Sequence, residues 1–217
     1  MLSPLLANVL LDEVDKELER RGHRVVRYAD DLNVYVRSLR AGERVMAFLR
    51  KRFASLKLRV NESKRAVAPF RGRKLLGYRF SSYKGVVRRG VAAKSLQAFK
   101  DRVRKLTRRT IGRSMAQVLA DLNPFLRGWR NDSARTQEPR LFRDLDGWIR
   151  RRLRALQINH WRWPTTLYDG LRATGFGSSR EWKIVASPGG WWQRALRAGW
   201  SLPPEGFDRL GLVRLSA

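Results

Sequence analysis

Apolar residues recur at helical spacing from the start of the chain. Leu5, Leu6, Val9, Leu10, Val14 and Leu18 form the series, with Asp12, Glu13, Asp15 and Glu17 between them. Ser3 before Pro4 supplies a capping residue and a preset first helical position, and Gly22 closes the pattern, so a helix is predicted between them. The period then drops to two. Val25 and Val26 precede a short bend, and Leu32, Val34 and Val36 follow it, alternating with Asn33, Tyr35 and Arg37. Alternation on both sides of a bend predicts a β-hairpin, with Asp30 and Asp31 at its tip. A second helix is expected after Gly42, with Val45, Phe48, Leu49, Phe53 and Leu56 on one face and Arg44, Arg50, Lys51 and Arg52 on the others. Short strands are expected at Leu56-Leu58-Val60 and Arg65–Ala68, joined by a turn at Asn61-Glu62-Ser63-Lys64. Leu75–Phe80 and Val86–Arg88 read as two further strands joined around Lys84-Gly85.

Strand signals vanish from about Ala92. Leu96, Phe99, Val103 and Leu106 mark one helix. Ser114 with Gln117 is a capping-box pattern that opens a second, running through Val118, Leu119 and Leu122. Asn123-Pro124 is read as restarting a turn that carries Phe125, Leu126 and Trp129, since proline disfavours a helix interior. Glu138-Pro139 opens a third helix, with Leu141, Phe142, Leu145, Trp148, Ile149, Leu153 and Leu156 on its apolar face. The last part carries Trp161, Trp163, Trp182, Trp191, Trp192 and Trp200. Such residues can stack on bases, but tryptophan more often fills a core, and most are assigned to the core here. The sum is an α+β chain with a mixed part over residues 1–90 and a helical part over 91–217.

Charge sharpens this picture. The 217 residues hold 47 Lys and Arg against 19 Asp and Glu, a formal net charge of +28. Such a surplus repels itself unless a polyanion neutralises it, and nucleic acid is the leading partner. Arg102, Arg104, Lys105, Arg108 and Arg109 surround one helix, and Arg150, Arg151, Arg152 and Arg154 crowd another with no acidic residue at i+4 to pair them. Both sets are candidate RNA contacts. There is no cysteine, and the only histidines are His23 and His160, which excludes disulfides and a zinc cluster. No apolar run reaches a membrane span and no secretory signal opens the chain, so a cytoplasmic location without membrane contact is expected. In a chain so poor in acids, two adjacent aspartates at a rigid bend suit Mg²⁺, which takes one or two carboxylates plus substrate phosphate oxygens.

The order of motifs carries a resemblance. Ser3-Pro4-Leu5-Leu6-Ala7-Asn8, Arg27-Tyr28-Ala29-Asp30-Asp31, Asn61-Glu62-Ser63-Lys64 and Leu76-Gly77-Tyr78 together resemble the second half of a reverse-transcriptase palm. Arg127-Gly128-Trp129-Arg130-Asn131, Leu145-Asp146-Gly147-Trp148-Ile149-Arg150-Arg151 and Ser187-Pro188-Gly189-Gly190-Trp191 resemble the thumb and maturase-specific region of group II intron reverse transcriptases, a class of mobile element that implies a bacterial source. The resemblance implies an RNA-directed DNA polymerase that also assists RNA splicing. Asp30 and Asp31 would ligate two Mg²⁺ ions, and Lys64 would assist the leaving pyrophosphate. Ser3, Pro4, Asn8 and Tyr28 would face template and nucleotide, and Leu76, Gly77 and Tyr78 would grip the DNA primer. In that family a further metal-binding aspartate and the fingers lie upstream of the Ser-Pro-Leu-Leu helix. The expectation is therefore an incomplete metal site, with Met1 an internal start or a truncation point and the missing N-terminal half as a partner. The alternative is an RNA-binding maturase module that acts without polymerisation.

Overall fold

The computed structural model describes residues 3–29, 31–58, 66–70, 74–174, 181–188 and 190–216. The chain divides into two compact units, Met1–Phe70 and Arg71–Ala217. Its fold class is α+β.

In the first unit, α1 (Ser3–Arg20) leads into an antiparallel hairpin of β1 (Arg24–Tyr28) and β2 (Asp31–Tyr35), and α2 (Leu39–Ser55) follows. Gly22 takes a φ of 75°, a value glycine adopts without steric cost, and turns the chain out of α1. Val14 and Leu18 of α1 and Val45 and Leu49 of α2 are buried together, against Val25, Leu32 and Val34 of the hairpin. Alternation therefore does what it predicts, sending one hairpin face into a core. The first two turns of α1 are different. Leu5, Leu6 and Val9 are 60–67% exposed, an apolar stripe without cover among the described residues.

Two local expectations change. Helix α2 starts before Gly42, because Ser38 caps it by accepting from the Ala41 N–H at 3.2 Å. Gly42 is instead an interior helical residue, buried where Val67 and Val36 close over it. The strand expected at Leu56-Leu58 is absent, since Leu56 ends α2 and Lys57 turns at φ 54°. Ala66–Ala68 is irregular. Val60 and the Asn61–Lys64 turn lie outside the described residues.

In the second unit, β3 (Lys74–Leu75), β4 (Tyr78–Tyr83) and β5 (Val86–Val91) form an antiparallel meander. The expected single strand over Leu75–Phe80 is broken. Leu75 pairs Tyr78 across a two-residue turn, with Leu76 at φ 50° and Gly77 at φ 83°. Lys84 (φ 48°) and Gly85 (φ 78°) make the same kind of turn between β4 and β5. Positive φ at both central positions matches the right-handed twist of the flanking strands.

The helical body contains α3 (Ala93–Leu106), α4 (Met115–Ser133), α5 (Pro139–His160), α6 (Pro164–Ala173), α7 (Glu181–Val185), α8 (Trp191–Arg197) and α9 (Pro204–Arg209). The Ser114–Gln117 capping box opens α4 as predicted. Helix α4 then continues through Pro124, against expectation. Interior proline costs about 3 kcal/mol, yet Val118, Leu122 and Leu126 on either side are fully buried on one face. Burying three such side chains is worth more than the proline costs. Asn123 adds a fixed point, donating to Gly211 O at 2.8 Å and accepting from Val213 N at 3.0 Å. Helix α5 is central, with Leu145, Ile149, Leu153, Leu156 and Ile158 buried.

Tryptophan departs most from the sequence-based expectation. Trp163, Trp182, Trp192 and Trp200 are exposed, Trp200 by 83%. The core is filled instead by leucine, isoleucine and valine, and by Phe99 stacked near Trp129 and Phe125. Among the described residues no helix is long and apolar enough to cross a membrane.

Candidate catalytic hairpin and nucleic-acid interface

Tyr28 pairs directly with Asp31 across the bend of the hairpin. The register sorts the hairpin into two faces. Val25, Arg27, Leu32 and Val34 point to α1 and α2. Val26, Tyr28, Asp31, Asn33 and Tyr35 share the open face, where Tyr28 is 62% exposed. Asp31 is thus an exposed carboxylate at the start of a strand, beside an exposed tyrosine. Asp30 lies outside the described residues, as does Lys64.

Arg27 holds the turn from behind. Its Nε donates to Asp15 Oδ2 at 2.6 Å, and its Nη1 donates to Asn8 Oδ1 at 2.8 Å and to Ala29 O at 3.2 Å. One guanidinium therefore ties two turns of α1 to the tip of the hairpin, using the planar fork that only arginine offers. Ala29 sits at φ 51°, left-handed backbone that costs a residue with a Cβ about 1–2 kcal/mol. Strain of this kind persists where surrounding contacts over-determine it. Asn8, expected at the template, thus spends its side-chain oxygen on Arg27. Ser3 and Pro4 open α1.

The expected primer-grip residues belong to the second unit. Leu76 projects from its turn, half exposed. Gly77 O accepts from Ala92 N at 2.9 Å, and the Tyr78 hydroxyl donates to Asp132 O. Glu138 braces the same sheet, accepting from Arg79 Nη2 at 2.6 Å and Val91 N at 3.2 Å.

The two arginine sets differ in kind. Arg102, Arg104, Lys105, Arg108 and Arg109 are all exposed. Hydrogen bonds from the Gln97 amide and from Arg104, the latter at 2.6 Å, hold the Asp101 carboxyl below its usual range. Arg150, Arg151, Arg152 and Arg154 are half-buried. Arg152 donates to Thr107 Oγ1 at 2.6 Å and to the Arg104 carbonyl at 3.3 Å. Arg154 donates to Leu202 O at 2.7 Å. Burial, reinforced by neighbouring guanidinium groups, lowers the pKa of both. Contrary to the pattern of charges in the sequence, Arg152 and Arg154 do not simply face solvent. They staple α5 to its neighbours.

Arg27 as a positioning group and the exposure of the tryptophans were not foreseen from sequence. Arg27 left a signal, since it directly precedes the Tyr-Ala-Asp-Asp turn. Exposure of an indole leaves none.

Residues 1–80 match the family model described as reverse transcriptase (RNA-dependent DNA polymerase), and residues 96–175 match that of the group II intron, maturase-specific domain. No curated protein matches the chain.

Proposed function

Because the chain belongs to the group II intron reverse transcriptase and maturase family, we propose that it serves RNA-directed DNA synthesis and intron splicing, residues 1–90 as a portion of the polymerase palm and 91–217 as thumb and maturase portion. One observation carries the polymerase reading. The open hairpin face presents Asp31 beside Tyr28 at the bend of the hairpin. Asp31 is a hard oxygen donor of the type Mg²⁺ accepts, and Asp30 precedes it in the sequence, so the chemistry of the donors fits that ion. Bound ions would stabilise the attacking and leaving oxygens when a 3′-hydroxyl displaces pyrophosphate. Among the described residues no three His, Cys, Asp or Glu side chains converge. In this reading a further carboxylate comes from another polypeptide segment, the remaining half of the palm, which would also cover Leu5, Leu6 and Val9. Lys64 meets the leaving pyrophosphate, Ser3, Pro4, Asn8 and Tyr28 line the template and nucleotide, and Leu76, Gly77 and Tyr78 hold the primer. Primer extension on an RNA template with Mg²⁺ tests this. The 217-residue chain alone should give none. Robust extension by it, abolished in Asp30→Ala, would overturn the need for a supplied carboxylate.

A second reading, an RNA-binding maturase module without polymerisation, is favoured by the exposed basic residues Arg102, Lys105, Arg108 and Arg109 within the segment that matches the maturase-specific domain. Binding to a folded group II intron should then exceed binding to an unrelated RNA of equal length at physiological salt. Equal affinity for both would remove the maturase reading.

A further inference from the structure

Trp192 lies in the first turn of α8 and Trp200 follows its end, and α8 packs along α5. Both rings are exposed, Trp200 by 83%. Tryptophan carries a large flat apolar face with a polar N–H at its edge, which suits an open ring to a contact surface. A cation stands against the first ring, and another side chain braces the backbone beside the second. The Arg151 guanidinium lies 5.4 Å from the Trp192 ring centroid. Arg154, one turn along the same face of α5, donates to Leu202 O and comes close to Gly199, the neighbour of Trp200. The segment between the two tryptophans is mostly helix, which places their backbones on the order of 10 Å apart. Two exposed indoles with backbones at that spacing, one of them beside the Arg151 guanidinium, combine what single-stranded nucleic acid requires: π-surface for bases and positive charge for phosphates. The net charge of +28 selects a polyanion over an apolar protein partner.

We propose that Trp192 and Trp200, with Arg151 beside Trp192, form a stacking platform for unpaired RNA bases. This rests on the reading that the chain binds RNA, and it deepens that reading, because it assigns unpaired nucleotides rather than duplex backbone to this face. The same cation-beside-indole arrangement recurs at Arg162 with Trp163, at 5.6 Å, and at Lys183 with Trp182, at 5.7 Å.

The test uses the whole chain and three probes with equal numbers of phosphates: a single-stranded oligoribonucleotide, its duplex, and an abasic strand. Fluorescence anisotropy at physiological salt should show the base-bearing single strand bound more tightly than the abasic one. Trp200→Ala and Trp192→Ala should each reduce that preference by roughly five- to a hundredfold, the range for losing one base–aromatic stack. The salt slope should stay unchanged, because no charge is removed. Trp200→Phe should keep most of the preference, and it decides the matter if an alanine variant melts early. Equal wild-type affinity for the abasic and base-bearing strands would overturn the platform while leaving phosphate binding in place. A preference retained in the double alanine variant would overturn it too. Absence of any RNA binding would overturn both this inference and the function it rests on. Binding of Trp200 to phosphatidylserine vesicles with no base preference would assign the face to a membrane and overturn it as well.

Discussion

Arg27 Nε meets Asp15 Oδ2 at 2.6 Å, joining the end of β1 to the middle of α1, with each side chain about one-fifth exposed. The pair stands behind the bend that Ala29 enters and from which Asp31 starts β2. Arg27→Ala would leave a half-buried carboxylate unpaired and release Asn8 and the Ala29 carbonyl at once. The expected loss is about 1–3 kcal/mol, the cost of an unsatisfied buried polar group. A double-mutant cycle with Asp15→Ala on thermal melting measures it. Additive effects would show that the two residues do not act as a unit.

Ala29 offers the opposite test. Glycine there would relieve about 1–2 kcal/mol of left-handed strain. It would also add unfolded-state entropy worth about 0.4–1 kcal/mol against folding. Relief of strain outweighs that entropy, so Ala29→Gly should raise stability slightly, by on the order of 1 kcal/mol or less. A lower melting temperature would contradict the strain assigned to this turn.

Glu17 should give the first unit an acid-sensitive component. Hydrogen bonds from Arg20, then Arg21, lower its carboxyl from 4.5 to about 2. A depressed folded-state pKa means stability that is present above the unfolded value of 4.5 and lost as pH falls toward 2. Glu17→Gln should therefore flatten the decline of melting temperature between about pH 4.5 and pH 2. An unaltered decline would show that the two arginines hold Glu17 only loosely in solution.

Buried Asp146 clamps the end of the chain. Its carboxylate accepts from Leu215 N at 2.9 Å, Ser216 N at 3.0 Å and Ser216 Oγ at 2.7 Å. Asp146→Asn keeps the shape but places a donor against donors. It should cost about 1–3 kcal/mol and expose the terminal residues to limited proteolysis. Resistance equal to wild type would show that packing of Leu212 and Leu215 alone retains the tail.

Salt dependence separates the two arginine sets. Changing Arg102, Lys105, Arg108 and Arg109 together to Gln should flatten the salt slope of RNA binding by up to roughly 2.8–3.6 units if each contacts one phosphate, at roughly 0.7–0.9 per phosphate lost. Melting should stay unaltered, since all four are exposed. Arg152→Gln and Arg154→Gln should lower the melting temperature instead, because each loses a bond to a neighbouring element. A stable Arg152→Gln variant with a flatter slope would reverse that assignment.

What the sequence alone determined were features whose cause is local. The β1–β2 hairpin was legible because period-two alternation and a short bend specify it over a short stretch of chain. The Ser114–Gln117 box was legible because both partners lie one turn apart. The order of motifs named the family. What tertiary structure decided were features settled by residues distant in sequence. Pro124 stays within a helix because Val118, Leu122 and Leu126 must share one buried face and Asn123 is held by Gly211 and Val213. Arg152 and Arg154 became internal staples because Thr107 and Leu202 lie within reach, 45 and 48 residues away in sequence. Trp200 lies open although an indole suits a core. Burial depends on what packs over a side chain, and that is set by the arrangement of α5 and α8 rather than by the indole itself.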